Sequence, residues 1–375
     1  MVLDTVRPKF MHSFGKTQFG ARNSSSTTCA MISLLHHASR CLESPSVSGL
    51  KIVSYDLSKA FDTVSHNVIL ESLSGFDFPK AFISWIQDYL AGRTQATRIG
   101  CIASTISDVH SGVPQGSVLG PMLFCCVVGR LEPLFEDTCV IKYIDDTTLC
   151  MPLYKNSRNN HIVTEHNNIV SWFKENSFKV NLTKCKSICY RKTTSVVDIP
   201  LEDVAAVSEL KFLGMIINDK LTWSSHIQHI CRIASRRIYA LRVLRPILSS
   251  TDLCAVYCAT IRSVLEYGSP SFGKLPINLC KELDKIQRRC HRLVCVIPDC
   301  ANCSCGRFPD LQRRRVTAAT KLFRIASITS DHVLYDIIPP KSHRSQRFIQ
   351  PSSVTSRFFN TFIPYVTTLI NNISA

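Results

Sequence analysis

Up to about residue 225 the apolar positions fall in short alternating runs broken by Gly, Pro and Asp, and beyond it they return every three or four residues. The first pattern predicts strands and loops, the second amphipathic helices. KIVSYDLSKAFDTVSHNVILESL opens as a strand from Lys51 to Tyr55, delivers Asp56 at its carboxyl end, turns, and becomes helical from about Ser65. SGVPQGSVLGPMLFCCVVGRL begins as a Gly/Pro-rich loop from Gly112 to Gly120 and continues as an apolar helix from about Pro121, where proline suits a first helical turn. VIKYIDDTTLCM reads as strand, tight turn, strand, with Asp145 and Asp146 at the tip. Further on, HIQHICRIASRRIYALRVL puts Ile227, Ile230, Ala234, Ile238 and Leu241 on one stripe and Arg232, Arg236 and Arg242 off it, and Pro246 ends it. STDLCAVYCATIRSVLEYG repeats the period with Leu253, Val256, Tyr257, Ile261, Val264 and Leu265 until Gly268. INLCKELDKIQRRCHRLV gives a third helix with Leu279, Leu283, Ile286, Cys290 and Leu293 inward and Arg288, Arg289 and Arg292 outward. The fold class predicted is α+β, a mixed part followed by a basic helical part.

Charge narrows the partner. The 375 residues hold 44 Lys+Arg against 28 Asp+Glu, a formal net charge of +16, and basic surface of that kind binds phosphate backbones by releasing counterions. Eighteen cysteines would suit a disulfide framework in a secreted chain, but MVLDTVRPKFMHSFG lacks the apolar core and cleavage site of a signal peptide, so reduced, intracellular thiols are expected, in the nucleus or cytoplasm. The longest apolar run, around PMLFCCVVG, is about half of the ~18 residues that span a bilayer, and no membrane partner is expected.

A basic chain with acids at one point poses a chemical question. Adjacent aspartates in a turn are by themselves ordinary turn formers. If the strand ending at Asp56 lies beside the hairpin of Asp145 and Asp146, however, three carboxylates converge, and like charges that close call for a cation. Mg²⁺ prefers a few carboxylate oxygens and completes its octahedron with water and phosphate, and two such ions serve an in-line phosphoryl transfer.

The blocks SYDLSKAFDTV, GVPQGSVLGP, YIDD, VNLTKCK and LKFLGMIINDKLTWSSHI, in that order, resemble the motifs of reverse transcriptases from non-LTR retrotransposons (long interspersed elements), over about residues 17 to 325. The resemblance implies a right-hand polymerase: partial fingers at 1–50, a palm of antiparallel sheet plus helices at 51–215 with part of the fingers at about 75–110, a helical thumb at 216–300, and a C-terminal helical or irregular extension at 301–375. It implies an RNA-directed DNA polymerase extending a DNA primer on an RNA template with dNTPs and two Mg²⁺ ions. Asp56, the Leu57 carbonyl, Asp145 and Asp146 resemble the metal ligands, and Lys184 the lysine beside departing pyrophosphate. Phe61, five residues after Asp56, stands at the sugar gate, where a ring excludes a ribose 2′-OH. Gln115 and Gly116 match the loop that packs on the nascent pair, and Phe212, Leu213 and Gly214 the hairpin that holds the primer end. Arg232 and Arg236 are placed to track duplex phosphates.

Departures from the pattern matter as well. QFGAR is similar to the family's QFGFR block, which makes Arg22 the residue expected to meet the triphosphate, but Ala21 replaces the usual Phe and Ser25 a common Arg. The family's fingers begin well upstream of this block, so the chain reads as an N-terminally truncated element, and a relic that binds nucleic acid without polymerising stays open as the alternative. An RNA-dependent RNA polymerase or an intron maturase is disfavoured by Phe61 and by FLG followed by LTW. A zinc site among Cys290, His291, Cys295, Cys300, Cys303 and Cys305 has one Cys-x2-Cys pair and no second. Ile144 stands where most of the family carries Ala. As a β-branched residue it is expected to stiffen an extended strand entering the turn and to narrow the space beside the primer end.

Overall fold

A five-stranded sheet organises the first half of the chain. The computed structural model describes residues 2–76, 78–155, 161–193, 198–295 and 308–373. These fall into two units, Met1–Ala30 with Ser46–Val207, and Met31–Pro45 with Ser208–Ala375.

In the first unit the sheet consists of β1 (Val47–Tyr55), β2 (Cys139–Tyr143), β3 (Asp146–Tyr154), β4 (Lys186–Arg191) and the short β5 (Ala205–Ala206), in the order β2-β3-β1-β4-β5. All neighbours are antiparallel except β4 and β5. β1 is central, and nearly every residue in it is buried, which explains its continuous apolar run in place of a clean alternation. The register matters for function: Tyr55 pairs with Thr147, so the residue after β1 comes level with the start of β3. The Tyr55 side chain is buried, and its hydroxyl bonds Nδ1 of His166 at 3.1 Å, which anchors the end of the strand.

Helix α1 (Leu119–Gly129) has no charged residue and is buried over Met122–Gly129, as a helix apolar all round must be. Its carboxyl end is satisfied by an unexpected group. Lys142, on β2, is fully buried, and its Nζ donates to the carbonyls of Val128, Gly129 and Leu131 at 3.1, 3.2 and 2.7 Å. Val128 and Gly129 belong to the last turn of the helix and Leu131 lies two residues beyond it, so the cation sits at the negative pole of the helix dipole. Burial pushes the Lys142 ammonium down to about 8, against the opposing field of Glu132. At the opposite extreme, residues 91–108 are all exposed and form a ribbon in which Thr94–Gln95 pairs with Ser107–Asp108 and Arg98–Ile99 with Ile102–Ala103.

The second unit begins with a hairpin, β6 (Glu209–Phe212) and β7 (Met215–Asn218), and continues as helices. Helix α2 (Ser224–Leu244) buries Ile227, Ile230, Ala234, Ile238 and Leu241, as the periodicity predicts, and His226 as well. The next predicted helix forms as α3 (Ser250–Tyr257) and α4 (Ser263–Glu266), joined by a π turn over Cys258–Arg262. Helix α5 (Ile277–Val294) buries Leu279, Leu283, Ile286 and Cys290. At its end Val294 takes the buried place expected of Leu293, which is half-exposed, because the stripe drifts around the helix over five turns. Cys300, Cys303 and Cys305 of the possible zinc site lie outside the described residues. Among the described residues no helix is long and apolar enough to cross a membrane.

Two histidines of the second unit, His226 buried and His36 partly so, are expected to make its stability depend on pH. His226 lies between Trp223 and Phe272, its Nδ1 accepts from the Ile216 amide at 3.4 Å, and burial pushes it down to about 4, with His229 adding to the effect. His36, against Phe358, is pushed down to about 4 by burial, Arg40 and His37. Unfolded histidines titrate near ~6.5, so between there and about 4 the unfolded chain binds more protons than the folded one. The stability that each neutral ring contributes is therefore complete above that range and lost as pH falls through it, by up to roughly 1.4 kcal/mol per pH unit for each ring. We expect His226→Leu to flatten the fall in melting temperature between pH 6.5 and 4.5. Parallel curves for variant and parent would show that His226 does not titrate in this range.

Candidate active site

The turn between β2 and β3 has two residues, Ile144 and Asp145, since Tyr143 pairs with Asp146. Asp56 follows β1 directly, next to the start of β3, so the register brings the three aspartates to one edge of the sheet. Asp146 feels this placement. Burial first, then the negative fields of Asp145 and Asp56, push its carboxyl above the ordinary carboxylate range. Nζ of Lys184 stands 3.7 Å from Oδ2 of Asp56, with both side chains well exposed. The lysine is therefore a local counter-charge and adds little to stability.

Behind Asp56 the chain is pinned. The Asp56 carbonyl accepts from the Asn181 amide at 2.8 Å, and the Ser58 amide donates to the Lys179 carbonyl at 2.8 Å. The main-chain groups of Leu57 take no part in this bridge, although Leu57 itself faces Val180. The donors available are thus carboxylate and carbonyl oxygens, the kind that suits Mg²⁺. The three carboxylates do not stand as a ready-made chelate. Among the described residues no three His, Cys, Asp or Glu side chains are close enough to hold a metal ion together.

Phe61 and Gln115 belong to a second constellation. Segment 61–66 is bonded to segment 111–115: the amides of Val113 and Gly112 donate to the carbonyls of Phe61 and Val64 at 2.8 and 2.7 Å. The Ser111 hydroxyl donates to the Asp62 carbonyl at 2.9 Å, and Nε2 of Gln115 donates to Oδ1 of Asp62 at 2.7 Å. Gly112 makes this approach possible, with φ of +85° and a position where a Cβ would lie 2.7 Å from two carbonyl oxygens. The Phe61 ring is half-buried, stacked on the fully buried Phe124 at 4.8 Å between centroids. Gly116 has φ of +80° and open space where a side chain would be.

Arg22 is engaged locally, its Nη1 donating to the Gly15 carbonyl at 2.6 Å. The remaining predicted residues lie in the second unit. Leu213 and Gly214, with φ of +46° and +83°, turn the β6–β7 hairpin after the buried Phe212, and the Tyr267 hydroxyl donates to the Leu213 carbonyl at 2.8 Å. Arg232 and Arg236 are exposed on α2, off the buried stripe.

A family model described as reverse transcriptase (RNA-dependent DNA polymerase) matches residues 2–217, more than half of the chain. The chain belongs to the reverse transcriptase family. Its fold is accordingly α+β, of the right-hand polymerase class. Among curated relatives of this chain, the probable RNA-directed DNA polymerase from transposon X-element of Drosophila melanogaster is 28% identical over 254 residues, 64% of this chain and 27% of the relative. That from transposon BS, of the same organism, is 27% identical over 304 residues, 76% of this chain and 32% of the relative. The chain thus spans about a quarter to a third of the length of these relatives, and the non-LTR resemblance read from its motifs holds. Apo telomerase from Candida tropicalis shows a TM-score of 0.46 at 13% identity, over 78% of this chain and 50% of that one.

Three residues of this chain escape a reading by motif. Asp62 follows Phe61 and bonds Gln115, Lys142 caps α1, and Gln18 accepts hydrogen bonds from the Ile144 and Gly20 amides at 3.0 and 2.9 Å. Gln18 lies in the same QFGAR block as Arg22, and that proximity is the signal that could have found it. Ile144 also corrects an expectation. Its φ is +61°, not extended, because a two-residue hairpin loop takes its first residue into the left-handed region. For a β-branched side chain that costs about 1–3 kcal/mol.

Proposed function

We propose that this chain is the polymerase part of a non-LTR retrotransposon reverse transcriptase, extending a DNA primer on an RNA template with dNTPs. The observation that carries this is the strand register that brings Asp56 level with Asp145 and Asp146 at the edge of one sheet, with the Asp146 carboxyl raised by burial and then by its two neighbours. Asp56, Asp145, Asp146 and the Leu57 carbonyl would hold two Mg²⁺ ions, which when bound lower the barrier to attack by a primer 3′-OH and stabilise the leaving phosphate oxygen. Lys184, beside Asp56, is placed to offset charge on departing pyrophosphate. Phe61 excludes a 2′-OH by bulk, and Gln115 with Gly116 borders the incoming nucleotide. Phe212, Leu213 and Gly214 hold the primer end, and Arg22 serves the triphosphate once it leaves Gly15. The palm, fingers and thumb boundaries drawn from the motifs belong to this same proposal.

Extension of oligo(dT) on poly(rA) with Mg²⁺ tests the reading. DNA synthesis that depends on Asp56 and Asp145 is the expected result. Binding of the hybrid without extension would favour the second reading, a nucleic-acid-binding relic, for which the engagement of Arg22 by Gly15 is the specific observation. For the second unit, Arg236→Ala is expected to weaken hybrid binding and to lower the salt slope by about one. A slope unchanged from the parent would make that face of α2 merely solvated.

A further inference from the structure

The carboxylate turn asks something unusual of Ile144. It is the first residue of a two-residue hairpin loop, with a positive φ where glycine is the usual occupant. Nothing in its own chemistry favours this, so its neighbours must impose it. They come from residues 17–20, far away in sequence. The Phe19 amide donates to the Lys142 carbonyl at 2.7 Å and the Lys142 amide to the Thr17 carbonyl at 2.8 Å, which lays this segment along β2. Between those bonds the Gln18 side chain turns inward and is fully buried. Its carboxamide oxygen receives both the Ile144 amide, at 3.0 Å, and the Gly20 amide, at 2.9 Å.

Gly20 closes the other side. A Cβ there would lie 2.4 Å from Cγ1 of Ile144 and 2.6 Å from its backbone nitrogen, so only glycine lets the two segments touch. The Lys142 side chain ties the same strand to the end of α1. Ile144 is therefore held by a buried acceptor on its amide and by a bare backbone against its side chain, and the next residue is Asp145.

We infer that Gln18 is a positioning residue for this turn: by accepting the Ile144 amide it holds the left-handed conformation that sets where Asp145 points. The inference rests on the reading of Asp145 as a metal ligand. Simple packing of a buried side chain is the competing account, and it predicts lower stability with no tie to Ile144.

Glycine adopts positive φ without strain, so Ile144→Gly lets the turn form without its clamp. Gln18→Met keeps the length of the side chain and removes the carboxamide oxygen; Gln18→Asn, smaller and still polar, withdraws the oxygen and is the second arm should the first variant fold poorly. Each is expected to raise the Mg²⁺ concentration for half-maximal extension about tenfold and to lower kcat by a similar factor, with KM for dNTP nearly unchanged, since a misplaced catalytic group acts on the reacting geometry. In the Ile144→Gly background the same substitutions should leave the Mg²⁺ midpoint within about twofold of that variant. A midpoint that does not move in either arm, or that moves equally with Ile144 and with glycine, overturns the inference. Asp145→Asn, run alongside, separates the two levels. Parent-like extension by that variant sinks the metal reading itself, whereas an inactive Asp145→Asn beside an unaffected Gln18 variant overturns only the role of Gln18.

Discussion

Asparagine in place of Asp145 is expected to abolish primer extension and to leave binding of the RNA/DNA hybrid close to the parent's. The substitution is nearly isosteric, and Asp145 is exposed at the tip of a hairpin, so neither the sheet nor the core loses a contact. What is lost is one negative charge at the sheet edge to which the register brings the three aspartates. A group that stabilises charge only in the transition state is worth a factor of about 10²–10³ in turnover, and a metal ligand should reach or pass the upper end. The same change removes one of the negative fields acting on Asp146, so that carboxyl should titrate lower in the variant. Steady-state extension and a gel shift at one salt concentration read the two halves of the expectation. Extension within a factor of a few of the parent would take Asp145 out of the site.

Phe61→Ala is expected to release discrimination against ribonucleotides. The ring is stacked on Phe124 and half-buried, on a segment bonded to the Gln115 loop. Trimming it to a methyl opens space beside that loop and also removes packing on Phe124, so the melting temperature should fall as well. The informative quantity is therefore a ratio. Loss of a single steric contact should cost about 1–3 kcal/mol of selectivity, or roughly 10- to 200-fold in the rNTP/dNTP ratio of kcat/KM. A lower melting temperature with an unchanged ratio would leave Phe61 as a core residue and nothing more.

The helices of the second unit were the most legible part of the sequence, because each stripe on α2 and α5 repeats a period that only a helix satisfies. The π turn between α3 and α4 left no trace in that pattern, since Ile261 and Leu265 remain buried across it. At the site, the residue types were legible and the backbone was not. Ordered motifs gave Asp56, Asp145 and Asp146, and the strand register then brought them level. Ile144 went the other way. Its preference for extended backbone is an average over many surroundings, and here a turn and a glutamine 126 residues distant outweigh it. Lys142 was hidden for a related reason: a lysine in an alternating strand reads as solvent-facing, and nothing local says that a helix end waits beneath the sheet.

In a chimaera of two related chains, the latch between residues 61–66 and 111–115 makes two distant stretches a single inheritable part. The carbonyls of one stretch are the acceptors for the amides of the other, and Asp62 fits a partner of Gln115 chemistry. A crossover falling between them would join a segment from one lineage to a loop shaped by another. Surviving chimaeras should therefore carry both stretches from one parent, while the exposed ribbon at 91–108, which lies between them in the chain, is free to diverge in length and composition.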